Sequence, residues 1–108
     1  MWYSASLLFK SRHPQSPERE ILWENCIVLI QADSVQGAEV LAKRHGKAAE
    51  VEYVAVSHEL VQWTFERVEK IHEIEAEKLT SGVEIFSRFL TESEVKSISE
   101  PFENQIAE

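Results

Sequence analysis

The sequence predicts a two-layer α+β domain: one mostly antiparallel sheet of about five strands, packed by one amphipathic helix in the order β-β-α-β-β-β. Three observations carry this. Apolar residues recur with period two in several short stretches, 2–11 being the clearest. One stretch, "ADSVQGAEVLAKRHGKAAE" (32–50), has helical spacing instead, with start and stop signals near its ends. The chain has 108 residues, with 44% hydrophobic and only 3 Gly and 3 Pro, which suits a single packed core.

In "WYSASLLFKS" (2–11), Tyr3, Ala5, Leu7 and Phe9 alternate with Ser4, Ser6 and Leu8. Aromatic and branched residues at that period make a strand with one well-buried face. Trp2 and Leu8 fall on the opposite face, so that face is expected to be partly covered. "SRHPQSPERE" (11–20) reads as a mobile connection because of its prolines, serines and charges. "ILWENCIVLIQA" (21–32) is the second strand, pairing antiparallel with the first. Cys26, Val28 and Ile30 share one face, and Ile27 and Leu29 the other. Apolar residues on both faces predict a central position in the sheet.

The helix opens at Asp33 or Ser34, either of which supplies a side-chain oxygen to the first turn. Val35, Ala38, Leu41, Ala42 and His45 form its inner stripe, and Gly46 is the expected C-cap. Gly37 costs about 1 kcal/mol relative to alanine unless it marks close helix–sheet contact. "EVEYVAVS" (50–57) is the third strand. In 60–74, Val61, Trp63 and Phe65 alternate before the apolar positions shift to Val68, Ile71 and Ile74. A strand with a bulge near Glu66 and Arg67 explains this, although a helix would also place Val61, Phe65, Val68 and Ile71 together. "VEIFSRFL" (83–90) is the last strand, after a charged turn ending at Gly82. Residues 92–98 carry signals for a helical turn or two. The domain is therefore expected to span 1–95, with an acidic, flexible tail at 96–108.

The formal net charge of −8 disfavours binding to nucleic acid, which needs clustered cations. It suits solubility and a basic protein partner. Cys26 is the only cysteine, in a strand interior, so it reads as a small hydrophobe. No signal peptide opens the chain, and no apolar run approaches the length of a membrane span. A soluble cytoplasmic protein is expected. His13, His45, His58 and His72 lack zinc-site spacing, although His58 and His72 would face one another across a 53–74 hairpin. No Gly-rich phosphate loop and no nucleophile elbow is present, so no cofactor and no catalytic residue is assigned.

Three stretches together, "MWYSASLLFKS", "LWENCIVLIQADS" and "GVEIFSRFL", resemble the bacterial family of domain of unknown function 4288. The opening W-Y-S-A with the closing E-I-F-S-R-F-L is the more specific pair, and the resemblance covers roughly residues 1 to 95. It implies a small free-standing bacterial protein. It implies no activity, and so no functional residue.

The candidate residues rest on the strand pattern alone. Arg88 interrupts an apolar strand, on one face with Glu84, Phe86 and Leu90. A guanidinium there needs solvent or an acid, and Glu24 on the second strand is the expected cross-strand partner. If that pair were buried, Arg88→Ala would cost up to about 3 kcal/mol. Trp2, Trp23 and Trp63 serve either core packing or an aromatic interface. Two functions follow. The first is a non-catalytic protein-interaction module, a homodimer or an immunity-like or regulatory partner binder, because a sheet with two apolar faces and one helix leaves a face uncovered. The second is an anion binder or enzyme with a sheet-face pocket of Trp63, Phe86 and Arg88.

Overall fold

The computed structural model describes residues 1–98. It has one antiparallel sheet of four strands, curled into a half-barrel, and two helices. The strands are β1 (Trp2–Arg12), β2 (Trp23–Gln31), β3 (Val51–Val54) and β4 (Leu60–Ile74), in the order β2-β1-β4-β3. Helix α1 (Val35–Ala48) packs on β1, β2 and β4, and α2 covers residues 92–98. The α2 helix crosses the domain boundary expected at 95. The expected tail beyond residue 98 lies outside the described residues.

β1 and β2 form the expected hairpin, but β1 is the central strand and β2 an edge. The apolar second face of β2 misled the sequence reading. What marks the centre is β1, where Ser4 and Ser6 are 0% and 2% exposed opposite Tyr3, Ala5, Leu7 and Phe9. Serine is small enough to sit in a crowded interior, and Ser6 Oγ is satisfied by the Asn25 side-chain amide at 2.7 Å.

β4 is one long strand, not a helix. Its register against β1 shifts twice, leaving Glu69 and Glu66 without direct partners. These two bulges account for the phase shift at Glu66–Arg67. Beyond the short β3, the Phe65 N–H is taken by Glu50 Oε2 at 2.9 Å. Residues 83–90 are not a strand, which corrects the five-stranded expectation. A fifth strand would need a regular ladder along the free edge of β4, and the two bulges break it. The chain turns instead at Gly82, whose φ of 91° favours glycine, and runs across the sheet face.

Ser34 caps α1, its Oγ accepting from Gly37 N at 3.0 Å. The inner stripe is Ala38, Ala42 and Gly46, with Leu41 half-buried, while Val35 and His45 are exposed. Neither glycine has its expected role. Ala49 is the C-cap, with ordinary αR geometry. Gly46 is the close contact: a Cβ there would lie 2.4 Å from Phe65 Cδ1. Phe65 in turn meets Phe9 edge-on, with centroids 5.7 Å apart. This small-residue stripe lets the helix lie close over β4.

The 13–20 loop is built, not open. His13 C=O accepts from Ser16 N–H and Ser16 C=O from Arg19 N–H, both at 3.0 Å. Pro14 and Pro17 each stand second in one of these two consecutive turns, the position their fixed φ prefers. Gln15 Oε1 accepts from Leu60 N at 2.7 Å, and Arg19 lies 3.3 Å from Glu59. The loop is thereby tied to the β3–β4 hairpin.

Candidate functional site

Strand alternation gives the sheet two chemically distinct faces. The helix side holds Tyr3, Ala5, Leu7, Phe9, Ile30, Trp63, Phe65, Val68 and Ile71. The second face, read from the same register, carries Trp2, Leu8, Lys10 and Arg12 from β1. It carries Trp23, Asn25, Ile27 and Leu29 from β2, and Arg67, Lys70 and His72 from β4.

The residues expected to form a site divide between these faces. Trp63 packs with the helix-side core, its indole N–H 3.3 Å from the Tyr53 hydroxyl. Phe86 lies on the other side, where Lys70 Nζ stands 5.6 Å from its ring centre. The Lys70 ammonium also donates to Ser87 C=O. The sheet thus separates Trp63 from Phe86, and the expected Trp63–Phe86–Arg88 pocket does not assemble.

Arg88 is exposed and forms no ion pair with Glu24 or Glu84 among the described residues. Glu84 approaches His72 at 3.7 Å. Glu24 accepts from Cys26 Sγ at 3.3 Å on the helix side of β2. Burial first, then that hydrogen bond and the carboxylate's charge, push the Cys26 thiol up, which makes it a poor nucleophile. The nearest electrostatic role of Arg88 is toward α2. Thr91 and Glu94 form a reciprocal cap there, Thr91 N–H donating to Glu94 Oε1 at 3.1 Å and Glu94 N–H to Thr91 Oγ1 at 3.3 Å. The Thr91 hydrogen bonds, backbone before side chain, hold the Glu94 carboxyl below its usual range, and the Arg88 charge adds to them.

Trp2 is half-buried on the second face, paired with Gln31 and Ile74. His58 sits in the β3–β4 turn with φ of 67°, and His72 lies near the far end of β4, so they do not face one another. No group of three His, Cys, Asp or Glu among the described residues is placed to hold a metal ion. No helix among them is long and apolar enough to cross a membrane.

Sequence reasoning offered Trp23 for an aromatic interface but did not join it to Ile27 and Leu29 as one surface. They are 52%, 44% and 46% exposed on one face of an edge strand. The signal was present in their shared parity, but the central position assigned to β2 hid it. The extended segment after Gly82 adds Ile85 and Phe89, the latter fully exposed.

No curated protein and no solved structure matches the chain. The model of one family, described as a domain of unknown function (DUF4288), matches residues 2–87, from the first residue of β1 to the residue before Arg88; the chain belongs to that family.

Proposed function

We propose that the protein is a non-catalytic interaction module that self-associates through β2. The observation that carries this is an unprotected edge. Natural edge strands are blunted by lysine, proline, bulges or short length. β2 runs nine residues, pairs with β1 without a register shift, and has no Lys, Arg or Pro. Its outer backbone groups and its exposed Trp23, Ile27 and Leu29 offer a second copy both a ladder and an apolar face. Antiparallel pairing of two β2 edges about a two-fold axis is self-complementary and continues the sheet.

Light scattering after size exclusion at micromolar concentration tests this. The wild-type chain is expected to elute as a dimer. Ile27→Lys places a charge on the edge and should yield a monomer with an unchanged far-ultraviolet spectrum. Val40→Lys, on the exposed side of α1, should remain a dimer. A monomeric wild-type chain, or equal loss in both variants, would overturn the reading.

A further inference from the structure

Cations in this acidic chain fall into two groups. Lys43, Lys47 and Arg19 have carboxylate partners: Glu39, Glu50 and Glu59. The remaining lysines and arginines have none within ion-pair distance among the described residues, and two of these, Lys10 and Arg12, stand at the end of β1. Both border a cleft of about 470 Å³ that His13 and Arg19 complete. Among the described residues no aspartate or glutamate lines it, although the whole chain carries a net charge of −8.

Local structure fixes this cleft. Lys10 and Arg12 are two apart on a strand, so they project to one side. Ser11 between them projects to the other, is 1% exposed, and accepts from Leu22 N–H at 2.9 Å. The Lys10 ammonium stands 5.5 Å from the Trp23 ring centre, which restrains its long stem. The two proline turns and the Gln15–Leu60 hydrogen bond hold the opposite wall. His13 borders the cleft beside Arg12 and Pro14.

We propose that the cleft binds a small organic phosphate. A phosphate dianion offers oxygens to the planar fork of Arg12 and to the point charge of Lys10. Arg19 stands at the rim, where Glu59, 3.3 Å away, shares its charge. Pro17 and Ile21 supply an apolar wall for the carbon portion. The volume fits a small molecule. A nucleic-acid backbone is excluded by the surrounding negative charge, which repels a polyanion outside this one cleft. The proposal does not require self-association through β2, although Trp23 belongs to both surfaces.

Calorimetric titration of the full chain at low ionic strength, with phenyl phosphate, inorganic phosphate and benzoate, tests it. Phenyl phosphate is expected to saturate one site, about tenfold more tightly than inorganic phosphate. Benzoate should bind more weakly than phenyl phosphate. Arg12→Gln and Lys10→Met should each weaken phenyl phosphate binding about tenfold or more, while Arg44→Gln on α1 should leave it unchanged. The proposal is overturned by no saturable binding of phenyl phosphate up to about 10 mM, by benzoate binding equally well, or by equal losses in Arg44→Gln and Arg12→Gln.

Discussion

The two faces of β1 are both buried, yet they are held by different means. Toward α1 the strand presents Tyr3, Ala5, Leu7 and Phe9 to a stripe of Ala38, Ala42 and Gly46. This side is closed by interlocking shape. Toward the second face it presents Ser4 and Ser6, flanked by the cations of β4 and by Phe86 and Ser87 of the extended segment. That side is held by hydrogen bonds and by side chains that remain partly exposed. Burial alone therefore does not tell which face carries the stability. Packing specificity does, because a dense interior resists any change of volume.

Substitutions ordered by expected cost can break or sharpen that contrast. Leu7 is completely buried on the helix side, and Leu7→Ala should lower unfolding free energy by about 3 kcal/mol in urea titration. A loss under about 1 kcal/mol would show that the helix-side core collapses to fill the space. Gly46→Ala comes next, at about 2 kcal/mol, because the new methyl meets the Phe65 ring rather than a mobile side-chain end. Equal stability in that variant would mean that the helix can lift from β4 without penalty.

The second face should respond differently. Ser4 is as buried as Leu7, but its hydroxyl has no hydrogen-bond partner among the described residues. Ser4→Ala is expected to be neutral, or to stabilise by up to about 1 kcal/mol. A clear loss in the same titration would reveal a partner for that hydroxyl and give the second face a stability role of its own. Arg88→Ala should change the melt least, by under about 0.5 kcal/mol, since the guanidinium is exposed and without an ion pair among the described residues. A loss near 3 kcal/mol would restore the buried pair that the strand pattern suggested.

Much of the fold could be read from residue types. Period two marked β1, β2 and β4, and the break at Glu66–Arg67 marked a bulge. Ser34 marked the start of α1 because a cap is a local device. Failures arose where a residue's meaning depends on a distant partner. Gly46 looks like a terminus until Phe65, from another strand, is seen against it. "VEIFSRFL" has strand character, yet strand formation needs a neighbour, and the bulged edge of β4 offers none. Arg88 belonged to that misread strand, so the pocket built on it failed with it. The 13–20 loop shows the converse. Its prolines were read as loosening the chain, whereas at the second position of successive turns they order it. That ordering is what brings Lys10, Arg12, His13 and Arg19 to one cleft.

The pairing of Trp2 with Ile74 also sets a timetable for folding. Of the four strands, the one made before the others lies inside the finished sheet, and its second neighbour is the one made after the others. During synthesis, β1 and β2 can close as a hairpin while one full side of β1 still waits for β4. A hairpin alone is marginal in water. Folding of this domain is therefore governed by a long-range closure that waits for β4, and such closures are slow relative to local ones. Pausing the ribosome before residue 60 should leave a nascent chain that proteases cut freely. Release of residues 60–74 should confer resistance in a single step.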